Sequence, residues 1–573
     1  MNYMKIYNEW LEKADDETVN ELLSIKDDDR EIEDRFYRTL EFGTAGLRGI
    51  MGAGTNRMNK YVLMQATKAL ADVIIEAGGR DKGVAIAHDC RINSKVYART
   101  CAAIFASMGI RTYIFEDLRP TPELSYAIRK LGTMSGVNVT ASHNPKEYNG
   151  YKVYWDEGSQ ILDDIADRIL EKISETPMFN NHGVPDFDTE MRKGLITILG
   201  EEMDRMFIDE IKGLSLNDEG IDKSVSAVYT PLNGTGAAMV PRVLKERGFE
   251  HIVTVDEQME PDGRFPTTPY PNPEDFSTFK LALEYARRHD SELAVATDPD
   301  ADRVAIAIRD TSGEFIPMNG NQTGALLLQY ILEQRKLKGM YNEKDAMVTT
   351  IVTGDLGKVI SKKFGLQVYE TLTGFKYVCG KVNDFEKTGE ANYVFGYEES
   401  IGYCPETFTR DKDAISTAMF IFEMAAYYKA RGMTLYDVLM SIYEEHGHYR
   451  ESQFSVAYKG ADGTQLKEKV MEQWRIGYPR ELAGEKLIRV TDYLQSVSID
   501  VRTGERTKVD IPESDVLKYT FDGGTWYAVR PSGTEPKLKV YIYTVRDNEE
   551  DALGVLGDVE DMLREKIKGF EKA

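Results

Sequence analysis

The segment Gly136-Val137-Asn138-Val139-Thr140-Ala141-Ser142-His143-Asn144-Pro145 joins a short apolar strand to a polar loop. Its first four residues are typical of a buried strand, because a brief apolar run is bounded by turn-forming residues. The loop then places the hydroxyl of Ser142 beside the imidazole of His143. A nucleophilic hydroxyl needs a proton acceptor and charged surroundings. The same residues are also ordinary turn formers, so the rest of the chain must decide between the two interpretations.

The pattern of a short strand, a loop rich in Gly or Asp, and an amphipathic helix recurs along the chain. We expect such strands at 84–87, 112–115, 136–139, 226–229, 293–296, 347–352 and 393–395. Ligand sites in α/β layers of this kind are expected in the loops at the carboxyl ends of strands. After about residue 446 the pattern changes to alternating segments and a final helix from about Glu549 to Phe570, which predicts a smaller α+β domain.

The length of 573 residues indicates several domains. At roughly 150 residues per domain the chain would hold about four. We predict an α/β protein with domains at 1–205, 206–318, 319–445 and 446–573, the last of them α+β.

The net charge of -24, from 71 basic and 95 acidic residues, argues against nucleic acid or an anionic membrane as the main partner. The four cysteines have neither zinc-site nor redox-pair spacing. The N-terminus lacks the apolar core of a signal peptide, and no apolar run reaches the roughly 18 residues of a membrane span. We therefore expect a cytoplasmic protein, as a monomer or small homo-oligomer.

Asp298-Pro299-Asp300-Ala301-Asp302-Arg303 carries three carboxylates at alternating positions between two apolar strands. Hard divalent cations prefer clustered oxygen ligands, so the loop predicts a Mg²⁺ or Ca²⁺ site. A calcium EF-hand needs Gly at the sixth loop position and Glu at the twelfth, which here are Arg303 and Arg309. The alternative is a solvated acidic turn.

Arg530-Pro531-Ser532-Gly533-Thr534-Glu535-Pro536-Lys537 combines a guanidinium, two hydroxyls, a glycine and an ammonium group. A phosphate dianion is bound by such donors, because the guanidinium makes bidentate contacts and backbone N–H groups can approach closely at glycine. A turn between two strands is the competing interpretation.

Two further loops suit a sugar phosphate. Gly396 to Gly402 holds Glu398 and Ser400, which can hydrogen-bond vicinal sugar hydroxyls, although an exposed charged loop would look the same. Thr371 to Lys376 adds Thr373, Gly374 and Lys376, or is simply the start of a helix capped by Thr373.

These four loops, around Ser142, Asp298, Glu398 and Arg530, follow one another in an order and spacing that resembles the α-D-phosphohexomutase family. Two more stretches, 42–49 and 370–378, resemble its phosphoglucomutase branch, which includes phosphopentomutase-type enzymes. The resemblance covers nearly the whole chain. It implies four domains around a central cleft, the first three of similar α/β topology, and a Mg²⁺-dependent phosphoserine.

The resemblance also implies roles for single residues. Ser142 would carry the phosphoryl group, with Mg²⁺ bound by a phosphoserine oxygen and by Asp298, Asp300 and Asp302. His143 and Lys152 would be acid/base partners, with Arg48 and Arg303 near the transferring group. Glu398 and Ser400 would contact sugar hydroxyls. The non-reacting phosphate would be held by Arg530, Ser532, Gly533 and Thr534. Substrate contacts are also implied for Thr373, Gly374, Lys376 and Lys412.

The activity expected from this resemblance is interconversion of glucose 1-phosphate and glucose 6-phosphate, with glucose 1,6-bisphosphate as intermediate and activator. A phosphopentomutase or a phosphomannomutase would share every motif. A serine-dependent phosphatase would need the same serine, metal and arginine, and in a non-catalytic metal-binding protein the motifs would be solvated loops.

Overall fold

The computed structural model describes residues 3–42, 46–179, 185–458, 463–532 and 537–572. It contains two compact units. The first unit comprises Met1–Ala346 and Phe375–Thr434, and the second comprises Met347–Gly374 and Leu435–Ala573. Within the described residues, no helix combines the length and hydropathy needed to cross a bilayer.

The first unit begins with three helices and a six-stranded α/β sheet. The helices to residue 192 are α1 (Tyr3–Lys13), α2 (Asp16–Ser24), α3 (Asp29–Phe36), α4 (Lys60–Glu76), α5 (Ser94–Ser107), α6 (Thr121–Leu131), α7 (Asp163–Glu175) and α8 (Phe187–Arg192). The strands are β1 (Gly46–Ile50), β2 (Val84–His88), β3 (Thr112–Phe115), β4 (Ser135–Val139), β5 (Tyr148–Trp155) and β6 (Ile196–Leu199).

The strand order is β1-β5-β4-β2-β3-β6, so β4 is an interior strand of the sheet. The Ser142 loop follows the carboxyl end of β4. β2, β3, β4 and β6 run parallel, whereas β5 is antiparallel to both β1 and β4. The buried residues of β2 and β4 pack with α4 and α5 in one apolar core. A strand buried on both faces is mostly apolar, which explains the short apolar runs of the sequence. The polar exceptions Ser135 and Asn138 of β4 make hydrogen bonds.

A second sheet follows in the same unit. Its helices are α9 (Glu201–Gly213), α10 (Gly236–Glu246), α11 (Asp256–Met259) and α12 (Lys280–Arg288). Its strands are β7 (Ala227–Thr230), β8 (Ile252–Thr254), β9 (Leu293–Thr297), β10 (Val304–Arg309) and β11 (Phe315–Met318), in the order β11-β10-β9-β7-β8. β9 and β10 form an antiparallel pair, so the predicted acidic loop is the connection of a hairpin.

The next elements are α13 (Gly320–Leu337), β12 (Asp345–Thr350), α14 (Asp355–Lys363), β13 (Gln367–Thr371), α15 (Phe375–Thr388), β14 (Asn392–Glu398), β15 (Gly402–Cys404), α16 (Ala414–Lys429) and α17 (Leu435–His446). The predicted loop from Gly396 to Gly402 proves shorter in the structure. Its first three residues extend β14, which pairs with β15 through Glu398 and Gly402. Glu398 therefore stands on a strand end next to a tight turn.

The C-terminal part is an antiparallel sheet with flanking helices, which confirms the predicted α+β character. Its elements are β16 (His448–Ala457), α18 (Gly463–Gly477), β17 (Glu481–Leu482), β18 (Glu485–Asp492), β19 (Val497–Asp500), β20 (Arg506–Lys508), β21 (Leu517–Phe521), β22 (Trp526–Pro531), β23 (Lys537–Arg546) and α19 (Glu549–Lys572). The main strand order is β16-β23-β22-β21-β18-β19-β20. Trp474 and the stacked rings of Tyr519 and Tyr527 lie in its apolar core.

Candidate active site

Ser142 lies at the centre of a group of charged side chains. Its Oγ donates a hydrogen bond of 2.9 Å to Oδ2 of Asp298 and lies 3.2 Å from Nδ1 of His143. The backbone of Ser142 has φ +52°, in the left-handed region that non-glycine residues rarely occupy. Its N–H is bound by Oγ1 of Thr140 at 2.8 Å. The surrounding contacts thus hold the serine in a conformation that costs about 1 kcal/mol or more.

Arg91 anchors the Ser142 loop through hydrogen bonds to its main-chain oxygens. The guanidinium is fully buried and donates to the main-chain oxygens of Pro145 and Tyr148 at 2.8 and 3.0 Å. It also donates to the main-chain oxygens of Ser142 and Asn144. A guanidinium offers five N–H donors in a rigid fork, so one side chain can bind four carbonyls of a sharply turning loop.

Asp89 holds Arg91 and Thr140 in place beside the Ser142 loop. Its carboxylate lies 3.2 Å from Nε of Arg91 and accepts hydrogen bonds from the hydroxyls of Thr140 and Ser94 at 2.7 and 2.8 Å. Burial raises the pKa of Asp89, and the charge of Arg91 partly offsets that rise. Sequence reasoning missed Asp89 and Arg91 as site residues. The available signal was their position just beyond the carboxyl end of β2.

Asp298, Asp300 and Asp302 form the buried carboxylate cluster that the sequence predicted. One oxygen from each lies within 4.8 Å of the other two. Oδ1 of Asp298 accepts hydrogen bonds from the backbone N–H groups of Asp302 and Arg303 at 3.1 and 3.0 Å, which fixes the curl of the hairpin connection. Burial and repulsion from the other two carboxylates raise the pKa of Asp298 well above its usual range.

These residues fit a divalent cation. Oδ1 of Asp300 and Oδ1 of Asp302 are buried and have no hydrogen-bond donor among the described residues. A buried carboxylate oxygen without a donor is costly, and so are three adjacent negative charges. A hard cation such as Mg²⁺, which prefers carboxylate ligands, would relieve both costs.

Two lysines flank the cluster. Nζ of Lys152 lies 2.8 Å from Asp300 and 3.3 Å from Asp302, while Nζ of Lys412 lies 3.2 Å from Asp302 and 3.0 Å from Asp411. Although burial lowers the pKa of each lysine, these carboxylates raise it above the usual range. Both ammonium groups are therefore charged at neutral pH.

His143 has the opposite electrostatic setting. Burial, followed by the positive charges of Arg303 and Arg48, lowers the pKa of His143 well below its usual range. The Arg48 guanidinium donates to Oδ1 of Asn144 at 3.1 Å, and Nε of Arg303 lies 3.8 Å from Oδ1 of Asp302. The structure thus brings the five predicted catalytic residues to one place, with a neutral imidazole among charged side chains.

The predicted sugar-binding residues Glu398 and Ser400 belong to the β14–β15 turn. Glu398 is buried, and its charge raises the pKa of both Arg303 and Lys412, so it lies within electrostatic reach of the metal loop. The turn is held to the second sheet because the N–H of Val304 donates to the main-chain oxygen of Ile401 at 3.2 Å.

The remaining predicted site residues belong to other segments of the chain. Lys376 pairs with Asp163 at 3.0 Å. Thr373, Gly374, Arg530 and Ser532 belong to the second unit, so their predicted roles stay predictions. Gly533 and Thr534 lie outside the described residues.

Within the second unit, cations gather at the start of the predicted phosphate loop. Arg530 of β22 stands directly opposite Lys539 of β23. Like charges in this register repel one another, and a bound anion would offset the repulsion. Lys467 of α18, which sequence reasoning missed, donates to the main-chain oxygen of Ser532 at 2.9 Å.

Comparison with known proteins identifies the family. The chain matches phosphoglucomutase/phosphomannomutase α/β/α domain I at residues 39–178, domain II at 205–313, domain III at 319–446 and the C-terminal domain at 485–553. The chain belongs to the phosphoglucomutase/phosphomannomutase family. Its four family domains include the α/β domains and the C-terminal domain expected from the sequence, while the limits predicted for them stay predictions.

Several members of this family are similar over nearly their whole length. A phosphoglucomutase of Staphylococcus epidermidis is 35% identical over 535 residues, covering 93% of this chain and 96% of the relative. One of Staphylococcus aureus strain MRSA252 is 34% identical, covering 93% and 94%. The crystal structure of the phosphoglucomutase parafusin from Paramecium has a TM-score of 0.68 at 17% identity, covering 93% of this chain and 96% of that chain. This last similarity shows the shared fold.

Proposed function

We propose that the protein is a phosphoglucomutase that interconverts glucose 1-phosphate and glucose 6-phosphate through a phosphorylated Ser142. The observation that carries the proposal is the hydrogen bond from Ser142 Oγ to Asp298 within a buried Asp cluster. A hydroxyl, a carboxylate cluster and surrounding cations are what phosphoryl transfer requires, since catalysis depends mainly on positioning and charge neutralisation. The curated relatives named phosphoglucomutase support glucose as the sugar.

Asp298, Asp300 and Asp302 would hold Mg²⁺ together with an oxygen of the phosphorylated serine. The cation would neutralise charge on the transferring phosphoryl group. Lys152 and Arg303 would add fixed positive charge at the same place, because their interactions with the carboxylates keep them protonated.

The transfer step forms a bond between a sugar hydroxyl oxygen and phosphorus while the bond from phosphorus to Ser142 Oγ breaks. One proton must leave the sugar hydroxyl and one must reach Oγ. The neutral imidazole of His143 takes the first proton and delivers it to Oγ, which lies 3.2 Å from Nδ1. We assign the acid/base role to His143, because Nδ1 faces Oγ, and the electrostatic role to Lys152, because it pairs with Asp300 and Asp302.

The product of this step is a sugar bisphosphate. When it turns over in the site, its other phosphate faces Ser142 and the reverse step regenerates the phosphoserine. Glu398 and Ser400 would bind the sugar hydroxyls in either orientation, and the non-reacting phosphate would be held at Arg530 and Ser532. The cationic neighbours Lys467 and Lys539 support that second assignment.

Turnover of individual sugar phosphates tests the proposal. Purified protein is incubated with Mg²⁺, a trace of glucose 1,6-bisphosphate, and glucose, mannose or ribose 1-phosphate, and the products are followed by ³¹P NMR. We expect the fastest turnover with glucose 1-phosphate. Negligible glucose activity would contradict the assignment in favour of a phosphomannomutase or phosphopentomutase, whereas net release of inorganic phosphate would indicate a phosphatase.

Intact-mass measurement tests the phosphoserine. A fraction of the protein should be heavier by one phosphoryl group, and S142A should lose both this mass and the activity. S174A, which removes an exposed serine hydroxyl on α7 bonded to the main chain of Glu171, is the matched control and should keep both. Full activity in S142A would refute the mechanism.

A further inference from the structure

We propose that Thr121 is a positioning residue that holds Asp300 with one carboxylate oxygen directed toward the metal ion. This inference rests on the divalent-cation site of the proposed function. Thr121 is the first residue of α6, and it belongs to a different family domain from Asp300.

Thr121 contacts Asp300 twice. Its backbone N–H donates to the main-chain oxygen of Asp300 at 2.9 Å, and its hydroxyl donates to Oδ2 of Asp300 at 3.0 Å. Both residues are fully buried. The backbone contact fixes the Asp298–Arg303 loop against the N-terminus of α6. The hydroxyl contact fixes the rotation of the Asp300 carboxylate. Oδ1, the oxygen without a donor, is thereby left for the cation.

Asn138 gives the Thr121 hydroxyl its direction. Nδ2 of Asn138 donates to Oγ1 of Thr121 at 2.7 Å. Because Oγ1 accepts this bond, its own hydrogen is available to Asp300. Asn138 lies on β4, the strand that leads into the Ser142 loop. The chain of hydrogen bonds therefore ties the metal loop to the strand that presents the serine.

Lys152 also contacts Oδ2 of Asp300, at 2.8 Å, but the two contacts differ in character. The ammonium ends a flexible side chain that interacts with Asp302 as well. Thr121 is β-branched, with a stiff side-chain torsion, and stands on a helix. Thr121 is thus suited to keep Asp300 oriented independently of the lysine. Partners behind metal ligands typically contribute 10- to 100-fold to metal affinity.

Direct binding of Mn²⁺, measured by electron paramagnetic resonance without substrate, tests this role. We compare T121V, T121S and T112V with the unaltered protein, all in the same phosphorylation state as checked by intact mass. T121V should bind Mn²⁺ at least about 10-fold more weakly, and T121S, which keeps the hydroxyl, should bind nearly as tightly as the unaltered protein. T112V is the matched control, because it removes an equally buried hydroxyl that bonds to Ile110.

Unchanged Mn²⁺ affinity in T121V would overturn the proposal, and so would equal weakening in T112V. If T121V does not fold, T121A replaces it with the same expectation and the same criterion. Absence of Mn²⁺ binding in the unaltered protein is a separate outcome that would overturn the metal site itself, and this role with it. The KM for Mg²⁺ in turnover should rise in T121V more than kcat falls.

Discussion

The buried guanidinium of Arg91 is hydrogen-bonded to the main-chain oxygen of Ser142, the residue that bears the proposed nucleophile. The same guanidinium holds three further carbonyls of the loop and pairs with Asp89. The strained backbone of Ser142 is therefore maintained by a side chain that contributes no chemistry of its own.

Replacing Arg91 should lower the catalytic rate, although Arg91 itself takes no part in the proposed chemistry. R91K keeps the charge, but an ammonium group cannot reproduce a planar fork, so the loop loses several of its carbonyl contacts. We expect kcat to fall roughly 100-fold, the effect of misplacing a reacting group by about 1 Å. R91M, which leaves Asp89 buried without its partner, should also lower the free energy of unfolding by about 3–5 kcal/mol. R99K, at an exposed position of α5, is the control, and a fully active R91K would contradict the proposed anchoring.

Removing one charge from the Asp cluster should have opposite effects with and without metal. D298N relieves repulsion among three buried carboxylates, so in EDTA its thermal midpoint should rise by about 1 °C, the shift that about 1 kcal/mol produces in a unit of this size. Mg²⁺ should stabilise the unaltered protein but not D298N, and activity should be lost. Differential scanning fluorimetry with and without Mg²⁺ measures this, with D384N on α15 as an exposed control. A lower midpoint for D298N in EDTA would argue against the repulsion.

Gly320 permits a close approach between α13 and the β14–β15 turn, whose residues Glu398 and Ser400 are predicted to bind the sugar. A Cβ atom at this position would lie 2.1 Å from the main-chain oxygen of Glu399. G320A should therefore displace the turn, raise the KM for the sugar phosphate several-fold, and cost about 1–3 kcal/mol of stability. At Gly213 in α9 a Cβ meets nothing within 4 Å, so G213A should leave KM unchanged. Equal KM values for G320A and G213A would show that the turn tolerates the displacement.

The ion pairs of Glu246 should make the free energy of unfolding depend on pH. Its hydrogen bond with Lys212, and further bonds with Arg205 and Arg242, lower its pKa to about 2. A carboxylate whose pKa is lower in the folded state stabilises the fold above its unfolded pKa of about 4.3 and loses that contribution as the pH falls toward 2. E246Q should therefore be less stable than the unaltered protein by about 1 kcal/mol at pH 7.

The difference between E246Q and the unaltered protein should shrink as the pH is lowered from about 4.5 toward 2. Urea unfolding at a series of pH values measures it, with E202Q on the exposed side of α9 as the control. A difference that stays constant over this range would contradict the shift in the pKa of Glu246.

The sequence by itself determined the fold class and located the carboxylate cluster. Apolar runs such as Val84–Ala87 predict buried strands because a strand covered on both faces is made mostly of apolar side chains. The spacing of Asp298, Asp300 and Asp302 predicts a metal loop because alternate residues of one short connection can present their carboxylates together. These are local properties, and local properties can be read from neighbouring residues.

Only the tertiary structure decided which distant residues are in contact and how their surroundings shift their pKa values. Arg91 and Thr121 gave no recognisable motif, because their partners Ser142 and Asp300 lie 51 and 179 residues away. The opposite pKa shifts of His143 and Lys152 also depend on the fold. Burial among arginines keeps the imidazole neutral, whereas two buried carboxylates keep the ammonium charged, and neither environment is encoded by adjacent residues.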